Sequence, residues 1–335
     1  MAIPSDLVTA TFSNKSGDVS DAVFNELTLY GILKKTGHVL LDGGTQIERA
    51  LEHAKNATVA FMQGSDTIDT TIQKVHTQGV WKYRQMTGTV GITAEEEMKN
   101  SGKAKVIDLL SARKQNLITS LQDVLETGSF AAPPAVGSVD IEGLREAVAD
   151  DPTANPTRAN YGQIDRTTNT FFRNRYQKDL DSALTATSTF AFVDRGLEFM
   201  RKGYRKASKG PNVDTPNLIV WTEELDSLYE AEVAPKLQLR QADLSNADPG
   251  TTGLMFKKAQ ISYSAANVGS NTTGHRMYML NTKYFYMVSH RDYNFKMGPF
   301  QEPANQTVRT GKVIWFGNLI CTNPIRQLVV LGFTV

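Results

Sequence analysis

The chain has 335 residues, 40% of them hydrophobic and 21% charged, with a formal net charge of +1. A single core stops growing at roughly 250–300 residues, so two packed lobes, or one lobe with long excursions, are expected. Near-neutrality argues against a chain whose main task is gripping nucleic acid, because phosphate binding needs a surplus of Lys and Arg; one weakly basic face stays open. The single cysteine, Cys321, sits in an apolar run and can form no intrachain disulfide, which suits a small buried hydrophobe. The N-terminus lacks a basic segment followed by an apolar core, so no signal peptide is expected. No stretch reaches the roughly 18 apolar residues of a membrane span.

Residues 1–45 start polar and then offer a short helix over 20–31, with Val23, Leu27 and Tyr30 on one face, before a turn at Asp42-Gly43-Gly44. Residues 46–92 hold two modest strand candidates, 57–62 and 80–92, around a polar tract at 63–73. That tract has too few large apolar side chains to bury itself, and an isolated hairpin is marginal in water. A second surface, most simply a neighbouring subunit, would complete it.

Thr93-Ala-Glu-Glu96 reads as a capping box opening a helix, and the carboxylates at 95–97 suit the positive end of its dipole. Val106, Leu110, Leu117, Leu121 and Leu125 form a stripe with Ile107, Ile118 and Val124, and Gly128 fits the position just past the C-terminus. Unbroken over 94–127, the helix would run about 50 Å; Ser101-Gly102 is where it would be interrupted. A loop-rich stretch follows at 128–175. Beyond it the pattern predicts a helix near 187–202 with Phe190, Val193, Leu197 and Met200 on one face, then a buried strand at 218–221. Thr222 is placed to cap a further helix over 223–233. This alternation predicts a compact α/β lobe. From 277 the chain reads as strands at 277–280, 284–289, 312–321 and 328–333.

The search for chemistry assigns no catalytic, cofactor-binding or metal-binding residue. Five scattered histidines and one cysteine offer no zinc spacing. Gly269-Ser-Asn-Thr-Thr-Gly274 has the glycine spacing of a phosphate loop. His275 and Arg276 then stand where Lys and Ser/Thr are needed, so it reads as a surface turn. No nucleophile-elbow motif is present. One basic cluster stands out: Arg201, Lys202, Arg205, Lys206 and Lys209, with Tyr204 among them. It reads either as the solvated C-terminal end of a helix or as an inner-surface or intersubunit patch able to meet nucleic acid. The aromatics Tyr278, Tyr284, Phe285, Tyr286, Tyr293 and Phe295 suit a core or subunit contacts.

Several stretches, in this order, resemble the major capsid proteins of tailed bacteriophages, of the Hong Kong 97 fold. They are Val80-Trp-Lys-Tyr-Arg84 to Val90-Gly-Ile-Thr-Ala-Glu95; Asn100-Ser-Gly-Lys103 with Val106-Ile-Asp-Leu-Leu110; Leu125-Glu-Thr-Gly128; Ile141-Glu-Gly-Leu144; Tyr161-Gly-Gln-Ile-Asp-Arg166 to Phe172-Arg-Asn174; Met277-Tyr-Met-Leu-Asn-Thr-Lys283; and Gly317-Asn-Leu319. The similarity spans about 75–330. It implies an α+β fold with an N-terminal arm at 1–45 and an extended β-hairpin, the E-loop, at 46–92. A peripheral domain with a long spine helix would take 93–129 and 277–325, and a compact axial α/β domain 130–276 and 326–335.

The function implied is self-assembly as hexamers and pentamers into an icosahedral head, built in the host cytoplasm around double-stranded DNA that the shell contacts without sequence specificity. No cofactor and no membrane are implied. Since little precedes the arm, a separate scaffolding protein is expected, with a portal and room for a decoration protein. Some relatives cross-link through Lys and Asn; Lys55, Lys74 and Lys82 lie in the expected hairpin without an assignable Asn. Gly88 and Gly91 are candidate hinges for the E-loop. The alternatives are an encapsulin-like nanocompartment shell, separated by its contents, and a soluble α/β enzyme, which needs a convergent titratable cluster.

Overall fold

The computed structural model describes residues 28–334 apart from 65, 100–108, 132–137, 153–159, 178–189, 211–212, 234–254, 265, 268–273 and 304–305. Helix α1 (Thr28–Thr36) buries Leu29 and Leu33 and leads into β1 (His38–Leu41). Most of the helix expected at 20–31 lies outside the described residues. The hairpin follows as β2 (Gln46–Glu52) and β3 (His76–Lys82), antiparallel from Gln46↔Lys82 to Glu52↔His76. The segment 57–62, expected as a strand, is irregular and largely exposed, because nothing among the described residues covers it. The run 80–92, expected as one strand, is divided at Tyr83 between β3 and β4 (Arg84–Thr93).

Next come α2 (Ala94–Lys99) and α3 (Leu109–Phe130). The capping box forms: Glu96 N–H donates to Thr93 Oγ1 at 3.3 Å and Thr93 N–H to Glu96 Oε2 at 3.1 Å. Whether 94–127 is continuous rests on 100–108, outside the described residues. Gly128 lies inside α3, not beyond its end. A Cβ there would stand 3.1 Å from Ile141, so glycine serves the close packing of the 138–144 segment. Leu121 and Leu125 are buried, whereas Val124 is exposed.

Short elements follow: α4 (Leu144–Ala147), which packs on α3, then β5 (Asn160–Tyr161), β6 (Ile164–Asp165) and β7 (Arg175–Gln177). Arg166 is fully buried, donates to the carbonyls of Glu146 and Ala147, each at 3.0 Å, and lies over the Tyr161 ring. The chain continues through β8 (Phe190–Ala191), α5 (Phe192–Ala207), β9 (Leu218–Trp221), α6 (Glu223–Val233), β10 (Met255–Phe256), β11 (Ala259–Tyr263) and β12 (His275–Leu280). It ends in β13 (Phe285–His290), β14 (Lys296–Met297), β15 (Val308–Cys321) and β16 (Leu328–Thr334).

Two sheets organise these strands. The smaller, of five strands, centres on β15: β13 and β14 share one side, β4 takes the other, and β1 pairs parallel with β13. The larger, of seven, runs β10-β11-β9-β12-β16-β7, with β8 also on β16. Strand β12 therefore belongs with β9 and β16, not with the later strands it was grouped with in the sequence. Its residues are buried on both faces, which suits an interior position in the larger sheet. The chain crosses between sheets just after Leu280, where Asn281 bonds Thr215 and Gln327.

On α5 the buried residues are Phe192, Gly196, Phe199, Met200, Gly203, Tyr204 and Ala207. Of the expected face, Met200 is buried and Leu197 packs against the core from a partly buried position, whereas Val193 is exposed. Two glycines sit on the true face: a Cβ at Gly203 would meet Leu328 at 3.1 Å. A pattern counted on large apolar residues misses a face built partly from glycine.

Candidate functional site

Among the described residues no group of three or more His, Cys, Asp or Glu side chains could hold a metal ion, and no helix is long and apolar enough to cross a membrane. Cys321 is fully buried, and burial pushes its thiol up to about 12, so it remains a protonated, unreactive thiol. Of the phosphate-loop-like turn only Gly274 is described; its backbone is left-handed, at φ +79°, and packs against Gly332. Glu96 is engaged by Arg113 through contacts of 2.9 and 2.8 Å. Those bonds, with the Thr93 cap, hold its carboxyl down at about 2. Glu97 pairs with Arg309 at 3.1 Å and Glu95 with Lys99. The acidic run is thus consumed by structure.

Two surfaces remain. The first is the hairpin. Its base alternates with the two-residue period of a strand, turning Ile47, Leu51, Gly79 and Trp81 inward. Trp81 is 1% exposed and meets the Tyr161 ring edge-on, with centroids 5.8 Å apart; Val80 N–H donates to Gly162 O at 3.0 Å. Gly162 is left-handed at φ +57°, and a Cβ there would lie 2.8 Å from the indole. Beyond Glu52 and before His76 the loop carries Val59, Phe61, Met62, Ile68 and Ile72 in the open, Phe61 and Ile72 more than 90% exposed. These five are a third of the fifteen exposed large apolar side chains among the described residues, and they fall in one loop.

The candidate hinges lie elsewhere than at the hairpin's base. Gly88 and Gly91 sit within the β4–β15 ladder, opposite Val313 and Thr310. A Cβ at Gly88 would come 2.5 Å from Leu117 on α3, whereas at Gly91 the nearest atom would be 3.4 Å away. Gly88 thus lets α3 lie close on β4.

The second surface is the end of α5. Arg201, Lys202, Arg205 and Lys206 occupy its outer face and Lys209 follows it, all exposed, while Tyr204 is buried beneath. Lys202 pairs with Glu198 at 3.0 Å, and Lys206 donates to Tyr176 O at 2.7 Å. Sequence reasoning missed Lys257 and Lys258, which the turn between β10 and β11 brings beside the cluster: Lys257 Nζ lies 4.4 Å from the Tyr204 ring centroid. Fifty residues of separation hide that proximity.

A hairpin with an unburied tip, a helix-backed five-stranded sheet and a seven-stranded layer make this an α+β chain. The fold is that of the Hong Kong 97-like capsid proteins. Cyanophage A-1(L) capsid protein superposes with a TM-score of 0.67 at 14% identity, covering 95% of this chain and 96% of that one. The capsid of Myoviridae phage XM1 matches at 0.53 and 11%, covering 99% of each. An encapsulin from Synechococcus elongatus PCC 7942 matches at 0.53 and 10%, covering 100% and 97%. No protein-family model matches the chain, and no curated protein matches its sequence.

Proposed function

We propose that this chain is the major capsid protein of a tailed bacteriophage, assembling with itself as hexamers and pentamers into an icosahedral head around double-stranded DNA. The observation that carries the proposal is the hairpin. Its base is locked into the chain's own core, while its tip holds five large apolar side chains that no part of the described chain covers. An exposed apolar cluster on a projecting loop is costly in solution and is accounted for when a neighbouring copy buries it. Many such contacts, matched by symmetry, close a container and stop its growth.

In this reading residues 1–45 are the arm and the E-loop projects from within 46–92. The five-stranded sheet with α3 is the peripheral domain and the seven-stranded sheet the axial one. A separate scaffolding protein guides assembly, a portal occupies one vertex, and a decoration protein has room outside. Gly91, free of close contacts, with Gly88 beside it, lets the β4–β15 ladder twist as the shell matures; normal expansion of shells carrying Gly91→Ala would remove that role. The test of the main reading is electron microscopy of the purified chain, alone and with its scaffold. Closed particles, or rings of five and six, are expected; a dispersed monomer under every condition would overturn it.

The encapsulin likeness, full-length in both chains, supports a second reading, a protein-loaded nanocompartment. Contents separate the two: DNA with a portal vertex, against protein cargo and no genome.

A further inference from the structure

A cavity of about 730 Å³ opens between the last turn of α5 and the turn joining β10 to β11, lined by Tyr204, Arg205, Ser208, Lys209, Lys257 and Lys258, with Gly210 at its rim. Four of these side chains are cationic and, among the described residues that line it, none is a carboxylate. The negative end of the α5 dipole accounts for Arg205 and Lys209, which belong to the helix end. It does not account for Lys257 and Lys258, which arrive on a different element. Lys257 has a left-handed backbone, φ +56°, which a residue with a Cβ rarely adopts, and this conformation sets its ammonium over the Tyr204 ring. Strain of this kind persists only where the surroundings enforce it. Burial first, and then the nearby Arg205 and Arg201, pull the Lys257 pKa down.

The ligand class follows from how the charges are spread. Arg201, Lys202, Arg205 and Lys206 continue from the cavity along the outer face of α5, so the cations form a track of about 10 Å at ~1.5 Å per residue. A small free anion needs one pocket. A track fits a polymer with a regular charge repeat, and a nucleic-acid strand carries one phosphate per roughly 3.4 Å along its axis.

We propose that this cavity and the adjoining face of α5 form a phosphodiester-binding site for double-stranded DNA, with Arg205, Lys209, Lys257 and Lys258 on the backbone phosphates. The proposal rests on the shell reading for its biological setting, and it places the DNA-facing surface at the α5 end of the larger sheet. The contact is to phosphate and reads no base.

The test uses the full chain, unassembled, with a short labelled DNA duplex in fluorescence anisotropy across a salt series. Lys257→Glu with Lys258→Glu should weaken binding at least about tenfold at low salt. It should also make the slope of log affinity against log salt shallower by about two. The control is Lys55→Glu with Lys74→Glu, the same charge change on the exposed hairpin loop, and it should bind as wild type. Should the Glu pair not fold, Arg205→Gln with Lys209→Gln removes charge without reversal, and the same weakening is expected. Equal losses in test and control pairs, no binding by wild type, or displacement of DNA by inorganic phosphate at equal charge would each overturn the site. A variant that keeps DNA affinity but no longer forms shells would assign the cluster to a contact between copies and overturn it too. Shell formation is scored separately by microscopy. Shells without DNA binding sink this proposal alone, and DNA binding without shells sinks the shell reading alone.

Discussion

The two halves of the hairpin come from one continuous stretch, yet they solve opposite problems. At the base, β2 and β3 turn Ile47, Leu51 and Trp81 against Tyr161 and Gly162, and the structure closes on itself. Buried Asn318 ties the same end down, donating to Lys82 O while its own oxygen accepts Glu142 N–H. At the tip, the hydrogen bonds among the described residues are local, such as Gln63 N–H to Asp66 and Thr71 N–H to Asp69, and the large apolar side chains are exposed. A strand ladder is therefore stable only as far as a packed face accompanies it. The base belongs to the energetics of one chain, whereas the tip is what the proposed neighbouring copy would bury.

That contrast can be broken most forcefully at Trp81. Trp81→Ala should cost about 3–5 kcal/mol, the usual loss for a large aromatic removed from a core. Chemical denaturation of the unassembled chain would measure it, and a loss below about 1 kcal/mol would mean the base is no more anchored than the tip. Gly88→Ala probes the neighbouring packing of β4 on α3. The added methyl meets Leu117 at 2.5 Å, so a cost of about 1–3 kcal/mol from overpacking is expected. Gly91→Ala, with its nearest neighbour at 3.4 Å, should stay within about 0.5 kcal/mol of wild type.

A smaller effect is expected at the helix start that follows β4. Glu96 is held at about 2 against an ordinary 4.5, so its contribution is complete above the ordinary value. It is lost as pH falls through about 2. Because the pair is partly open to solvent, Glu96→Gln should cost no more than about 1 kcal/mol at neutral pH. Thermal melts across pH should show a shallower acid decline in that variant; an unchanged decline would remove the Glu96–Arg113 pair from the account. An effect on the single chain as small as that of Gly91→Ala is expected at the tip. Phe61→Ser with Ile72→Ser should leave unfolding within about 0.5 kcal/mol while shell formation fails, read by denaturation and microscopy on the same preparations. Normal shells from that variant would overturn the assignment of the tip to a neighbour.

Residue patterns alone were enough for elements whose signals are local. The capping box at Thr93–Glu96 follows from signals within a few residues, and so, from periodicity, do the buried strand β9, the helix α6 and the strands β13 and β16. Thr222, expected to cap α6, instead places its Oγ1 3.0 Å from His275 Nδ1. That the polar tract at 63–73 would not bury itself was legible too, since its composition is a local property; that Val59, Phe61 and Met62 beside it would stand exposed instead of forming a strand was not. The basic cluster on α5 was legible as a run of charge. Its solvent-facing position depended on a helical face that includes Gly196 and Gly203, which no count of large side chains registers.

What needed the tertiary structure were matters of partner and register. Buried on both faces, β12 reads the same in either sheet, and only its pairing with β9 and β16 assigns it. Gly128 looks like a helix stop until Ile141 is found against it. Lys257 and Lys258 join the basic surface only because β10 and β11 fold back onto the end of α5. Backbone propensity and side-chain periodicity act over one or two turns of chain. The choice between sheets and the company each side chain keeps depend on burial shared by residues far apart in sequence, an energy that exists only once the chain has folded.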